Sequence, residues 1–300
     1  MSTLSVLITC HNRKEKTLAC LRALLANDLP SDFSINILLV DDGSTDGTGE
    51  SAAILDHRIK VLYGDGHLFW NGGMRRAFDE AAKSHPDFYL WLNDDTILLK
   101  DSIMRLIYTY DSLSREYSNK LIIVGATCDD EDDSIQTYGG VKRSGRFFRP
   151  MHFTLNELSD KPVRCDTMNG NCVLISAETA ALAGNLEPGF CHGLGDFDYG
   201  LRACHLGCSV WVTPGLIGTC SRNLLVGNFL DPSLSIKHRI INILSTKGLP
   251  PKAWALFTKR YAGPFWFLYW IWPYLKIIIL GLFVRKISRY SLATLLKKRN

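Results

Sequence analysis

The 300-residue sequence contains no C-x-x-C pair among its nine cysteines, and that odd number, spread from Cys10 to Cys220, argues against a disulfide scaffold. The first residues, Met1-Ser2-Thr3-Leu4-Ser5, lack the basic and apolar regions of a secretory signal, so reduced thiols in a cytosolic protein are expected. No G-x-x-x-x-G-K-[ST] is present, which excludes a phosphate cradle of the P-loop type. Neither repeats nor low-complexity segments occur, and with 46% hydrophobic and 21% charged residues the composition is that of a folded globular chain.

One absence divides the chain. No acid follows Asp231, while thirteen of the 34 Lys and Arg residues do; residues 1–231 therefore hold 21 cations against 30 acids, a net charge of −9. An acidic body with a basic, aromatic-rich tail does not fit a nucleic-acid binder, whose cations spread over the folded face. Such a tail suits a surface of anionic lipid headgroups. Its apolar stretch, residues 263–284, is interrupted by Pro273 and Lys276. A span needs about 20 mainly apolar residues, and the tryptophans and tyrosines favour the headgroup region, so this segment is expected to lie in the cytoplasmic interface rather than cross it. The alternative is a buried helix pair or a homodimer contact.

Apolar runs at Leu4–Thr9, Ile35–Val40, Ile59–Tyr63, Phe88–Leu92 and Leu121–Thr127 alternate with helical patterns, the signature of an α/β fold with a mostly parallel sheet and right-handed crossovers. Residues 128–165 are less regular and are expected to be largely a solvated loop, with hairpin strands punctuated by Gly139-Gly140 and Ser144-Gly145 as the alternative, before a strand at Cys172–Ser176 and a helix through Leu206. From about residue 227 the pattern becomes helical, which divides the chain into domains 1–226 and 227–300.

Ligands of parallel sheets bind beyond the carboxyl ends of the strands. Two acid pairs stand there, Asp41-Asp42 and Asp94-Asp95. Carboxylates hold base or ribose hydroxyls, and beside a diphosphate they share a hard cation; one pair can serve the nucleoside and the other the metal. A calcium loop beginning at Asp42 is excluded because the twelfth position is Ala53. The glycines from Gly47 follow two aspartates that would repel a pyrophosphate. The pairs Cys191-His192 and Cys204-His205, with Cys208, match no usual zinc spacing.

Five segments occur in a telling order: Ser5-Val6-Leu7-Ile8-Thr9-Cys10-His11-Asn12, Val40-Asp41-Asp42-Gly43-Ser44, Asn71-Gly72-Gly73-Met74-Arg75-Arg76-Ala77, Leu92-Asn93-Asp94-Asp95-Thr96 and Gly195-Asp196-Phe197-Asp198-Tyr199-Gly200-Leu201-Arg202. Over residues 4–222 this order resembles the family 2 inverting glycosyltransferases of the GT-A fold, most closely the rhamnosyltransferase-like enzymes of bacterial surface polysaccharides. The resemblance implies a Rossmann-like GT-A domain that binds a nucleotide-sugar (UDP- or dTDP-linked) and divalent Mn2+ or Mg2+. It places Thr9, His11, Asn12, Asn71 and Arg75 around the donor and Asp42 at the base. Asn93-Asp94-Asp95 stands where the family has D-x-D; the first acid is replaced by asparagine, so Asp95 becomes the metal ligand and Asn93 and Asp94 neighbours of donor sugar or ribose. Cys220 occupies the region where a histidine ligand is usual, and Arg222 is a candidate for the diphosphate. Asp196 matches the catalytic base, although Gly195 replaces its customary acidic neighbour. The implied acceptor is a glycan, in particular one linked to polyprenyl diphosphate. Polyprenyl phosphate as acceptor, or a scaffold that binds nucleotide-sugars without catalysis, are the alternatives.

Overall fold

A computed structural model describes residues 1–145, 150–222, 227–231 and 233–279 and divides into two compact units, Met1–Arg222 and Asn223–Asn300. The first unit opens with β1 (Ser2–Cys10), α1 (Lys14–Leu25), β2 (Phe33–Asp41), α2 (Thr48–Leu55), β3 (Ile59–Tyr63), α3 (Phe69–Ala82) and β4 (Phe88–Leu92). Next come β5 (Ile97–Leu98), α4 (Ser102–Glu116), β6 (Leu121–Cys128), β7 (Gln136–Tyr138), β8 (Gly140–Arg143), β9 (Phe153–Leu155) and β10 (Val163–Cys165). It closes with β11 (Thr167–Met168), β12 (Cys172–Ser176), α5 (Ala177–Ala183), α6 (Gly195–His205) and β13 (Ser209–Thr219).

The main sheet runs β10-β13-β6-β12-β4-β1-β2-β3, with β5 and β7 paired to β13 and β6. It is mostly parallel, as the strand and helix alternation implies; β12 is an exception, antiparallel to both β4 and β6. β4, β6 and β12 are buried along their whole length, the pattern of strands covered on both faces. Side chains alternate across β1: Leu4, Val6 and Ile8 pack with Leu18, Leu21 and Leu24 of α1, while Leu7 packs with Met74 and Phe78 of α3 on the other face. The result is an α/β/α layering whose two hydrophobic cores share the sheet.

The segment 128–165 departs from the solvated loop expected for it. Among the described residues of this segment the longest exposed run is 130–135; strands follow, and β8 joins β9 and β11 in a separate three-stranded sheet. Strands of two to four residues carry too little alternation to be recognised in a sequence window. At Gly140 a Cβ would lie 2.2 Å from Val212 Cγ2, so the backbone of β8 approaches the main sheet closely.

Placement of the site follows from the parallel block. β1, β2 and β4 run the same way, and Cys10 pairs with Asp41 at their ends. The turns after Cys10, Asp41 and Leu92 therefore share one edge.

In the second unit, α7 (Ile236–Leu244) is capped by Ser235, whose Oγ accepts a hydrogen bond from the His238 amide. α8 (Pro251–Tyr261) starts with proline at a position that needs no amide hydrogen. A helix over 266–279 is tied to α8 and its leading turn: Trp254 Nε1 donates to the Tyr269 carbonyl (3.2 Å), Trp270 Nε1 to that of Pro251 (3.0 Å), and the Tyr274 hydroxyl to that of Leu249 (2.6 Å). Phe265, Leu268, Trp272, Leu275 and Ile279, at helical spacing, are exposed. No helix among the described residues is long and apolar enough to cross a membrane. Residues 280–300, with six of the tail cations and the end of the 263–284 stretch, lie outside the described residues.

Candidate active site

At the sheet edge, His11 and Asn12 follow β1 directly and are exposed. His11 Nδ1 donates to the Asp42 carbonyl at 2.6 Å, which sets its tautomer. Asn12 adopts a left-handed backbone (φ 51°), where asparagine is tolerated. Its Oδ1 accepts from the Thr45 amide (2.7 Å), and its own amide donates to Ser44 Oγ (2.9 Å). Asp42 is 3% exposed, with Oδ1 accepting from the Gly66 amide and Oδ2 from that of Phe69, each at 2.9 Å. The carboxylate expected at the base therefore braces the loop into α3. Thr9 is buried beneath α3, where a Cβ on Gly73 would lie 2.1 Å from its Oγ1; that crossing requires glycine.

Three of the residues expected around the donor make contacts that differ in kind. Asn71 is fully buried; its Nδ2 donates to the carbonyls of Glu187 (3.0 Å) and Phe190 (2.7 Å) and so anchors the loop before α6, while its Oδ1 has no hydrogen-bond partner among the described residues. Arg222 Nε donates to the Thr137 carbonyl (3.0 Å) and Nη2 to that of Gln136 (3.3 Å), both in β7. Arg75, like Asn71, keeps a buried polar atom, its Nε, that has no hydrogen-bond partner among the described residues.

The acidic turn after β4 is organised by Arg13, a residue without a motif signal beyond its place three positions after β1. Nη1 meets Asp94 Oδ1 and Nη2 meets Asp95 Oδ2, both at 2.9 Å. Burial pushes Asp94 up to about 6, with Arg13 pulling the other way and Asp95 adding to the rise. Asp95 Oδ1 receives a long contact from Cys220 Sγ (3.5 Å), and burial followed by Asp95 pushes that thiol up to about 12. Asn93 Oδ1 accepts from Trp70 Nε1 at 2.8 Å.

These donors bear on the expected divalent cation. Asn93 is committed to Trp70, Cys220 is a neutral thiol, and no three His, Cys, Asp or Glu residues converge among the described residues. Mg2+ and Mn2+ at nucleotide sites often take one or two carboxylates and complete their shell with phosphate and water. Asp95, with Asp94 beside it, fits that arrangement and does not fit an all-protein cage.

Asp196, the second residue of α6, has no cation partner among the described residues. Its Oδ2 accepts from the Gly170 amide (3.0 Å) and Oδ1 from the Phe197 amide (2.8 Å). Burial pushes it up to about 6 against those hydrogen bonds, yet part of its surface stays accessible. Asp198 is wholly buried with Arg202 Nε at 3.3 Å, and the same guanidinium donates to the carbonyls of Ala183 and Asn185, a structural tie. Asp196 is linked to the acidic turn: a Cβ on Gly170 would lie 2.5 Å from the Trp70 ring, whose Nε1 bonds Asn93. Phe197 and Asn169, flanking Asp196 and Gly170, line an open cavity of about 230 Å³ with Phe153, Leu155 and Arg222.

The sequence profile of Glycosyl transferase family 2 matches residues 5–168. No curated protein sequence matches the chain. Among solved structures, GalNAc-T7 with UDP, GalNAc and Mn2+ superposes with a TM-score of 0.57 at 16% identity, over 74% of this chain and 43% of that one. S. aureus TarS 1–349 in complex with UDP gives 0.54 at 12% identity, over 86% and 70%. The mannosyltransferase PcManGT from Pyrobaculum calidifontis with GDP-Man and Mn2+ gives 0.52 at 12%, over 85% and 64%. At these identities the likeness is one of fold, and it agrees with the GT-A architecture. The chain spans less than half the length of the GalNAc-T7 chain.

Proposed function

The chain belongs to glycosyl transferase family 2, and from that premise we propose that it moves a sugar from a UDP- or dTDP-sugar to a hydroxyl of a growing, lipid-linked bacterial surface polysaccharide, with inversion at the anomeric carbon. The observation that carries the reading is Asp196: a carboxylate without a counter-cation among the described residues, held by two backbone amides and joined through Gly170 and Trp70 to the acidic turn.

Asp196 takes the proton of the acceptor hydroxyl as that oxygen attacks the anomeric carbon, and the bond from that carbon to the diphosphate breaks on the opposite face. Its two amide bonds fix the orientation of the carboxylate, and burial brings its affinity for a proton closer to neutrality. Asp95, with Asp94 beside it, would hold the divalent cation, whose chemistry when bound is to neutralise charge on the departing diphosphate. His11, Asn12 and Arg75 offer polar groups toward the nucleotide. The cavity beside Phe197 and Asn169 supports an acceptor on the side of Asp196, and the aromatic pair Phe153 and Phe197 (5.3 Å between centroids) offers a ring face to a sugar.

For the second unit the proposal is attachment to the inner face of the cytoplasmic membrane. The exposed stripe from Phe265 to Ile279 and the absence of acids beyond Asp231 support it.

The experiment is a panel of UDP-, dTDP- and GDP-sugars with Mn2+ or Mg2+, read first by thermal shift and then by product analysis with a soluble oligosaccharide and with polyprenyl phosphate. Transfer to the oligosaccharide with an inverted anomeric centre is expected. Transfer to polyprenyl phosphate alone would move the acceptor to the lipid, and binding without transfer or hydrolysis would make the chain a scaffold.

A further inference from the structure

We propose that Arg13 is a built-in counter-cation that holds Asp94 and Asp95 against a divalent ion until a nucleotide diphosphate arrives, so that metal binding and donor binding are coupled through one guanidinium. The inference rests on the donor-site reading given above.

Asp94 and Asp95 are consecutive in the chain, and their side chains are only 7% and 16% exposed. Two carboxylates so close and so little hydrated repel each other, and each gains from a cation. Arg13 serves both at once, one nitrogen to each at 2.9 Å, so neither carboxylate lacks a partner. A divalent ion arriving alone must either displace Nη2 from Asp95 Oδ2, which breaks a charge-assisted bond, or bind Oδ1 beside the Cys220 thiol with the guanidinium still on the same carboxylate, which sets two cations side by side.

Arg13 is also free to leave. It stands at the N-cap of α1 with a non-helical backbone (φ −139°), and its side chain is 37% exposed, so rotation about its own side-chain bonds disturbs neither helix nor sheet. The planar guanidinium suits phosphate oxygens as well as carboxylates. A diphosphate at the acidic turn therefore offers Arg13 a second anion and releases Asp95. The coupling is reciprocal: diphosphate raises metal affinity by the same factor by which metal raises diphosphate affinity.

The test uses the full-length protein, with Mn2+ alone as the first probe, free Mn2+ followed by electron paramagnetic resonance, and UDP as the second probe. Arg13→Gln is expected to bind Mn2+ about tenfold more tightly than wild type without nucleotide, and UDP should tighten Mn2+ binding about tenfold in wild type and much less in the variant. Arg13→Lys, which keeps the charge but reaches one carboxylate, should fall between them. A folded Arg13→Gln protein with equal or weaker Mn2+ affinity would overturn the proposal, because a merely structural arginine has no reason to compete with the ion. Should Arg13→Gln not fold, the UDP arm in wild type decides: Mn2+ affinity unmoved by bound UDP overturns the coupling. Failure of every variant to bind a nucleotide diphosphate would instead sink the donor-site reading, while the Mn2+ titration still judges the clamp.

Discussion

The acidic turn after β4 and the start of α6 hold carboxylates that burial treats alike and neighbours treat differently. Asp94 and Asp196 are both pushed up to about 6, with burial the largest cause in each. Asp94 has a guanidinium and a second acid beside it, whereas Asp196 has two backbone amides and no ion pair among the described residues. A carboxylate already matched by a cation is suited to hold charge in place. One oriented by amides alone, and partly accessible, is suited to take up a proton and release it. The lesson is that the surrounding groups, more than the depth of burial, set what each acid can do.

The difference can be broken most severely at Asp196. Asp196→Asn is expected to lower the rate of transfer by roughly a hundredfold or more, measured as initial rate at saturating donor. Its stability carries a second signature. A carboxyl whose folded pKa lies above its unfolded value stabilises the fold most below the unfolded pKa, and that contribution is lost as pH rises toward 6. The melting temperature of Asp196→Asn should therefore gain on wild type between about pH 4 and 6 and hold that gain above. In the wild type, transfer should fall as pH drops through about 6 and the base is protonated.

Next in size is the link between the two regions. Gly170→Ala puts a methyl group into the Trp70 ring, which should cost about 1–3 kcal/mol of stability and move the amide that holds Asp196. A lowered melting temperature together with reduced transfer is expected; a variant unchanged in both would dissolve the link. Trp70→Phe removes the hydrogen bond to Asn93 together with part of the ring that packs on Trp91 and Gly170; the hydrogen bond alone is worth about 1 kcal/mol or about fivefold in donor affinity, seen as a raised KM, and the lost packing adds a lowered melting temperature. The smallest effect on catalysis is expected from the tail. Trp272→Ser on the exposed stripe should leave transfer to a soluble acceptor unchanged while weakening sedimentation with anionic vesicles at low salt.

How much of this was legible in the sequence differs between the same two regions. β1, β2 and β4 announce themselves as apolar runs ending in aspartate, asparagine or histidine, so the edge carrying His11, Asp42 and Asp94 can be drawn from periodicity alone. The side of Asp196 is harder. β12 is buried on both faces, and an unbroken apolar run carries no mark of direction, so its antiparallel pairing is invisible. β7 to β11 are each four residues or fewer, too short for a pattern, and with them went the fate of Arg222, whose partners lie about 85 residues away. Arg13 is one of three cations, with Lys14 and Lys16, just past a strand, and nothing singles it out until the fold brings β4 beside β1. Asn71 was visible as part of a motif, but its burial depends on the loop before α6, more than a hundred residues downstream.

Calorimetric titration of UDP with Mn2+ into Asp95→Ala and Asp196→Asn, alongside transfer rates from the same preparations, tests the division of labour most directly. Asp95→Ala is expected to lose Mn2+-supported UDP binding and transfer together, while Asp196→Asn binds UDP within about twofold of wild type and loses transfer alone. Near-normal transfer by Asp196→Asn, or unchanged Mn2+-supported UDP binding by Asp95→Ala, would contradict it.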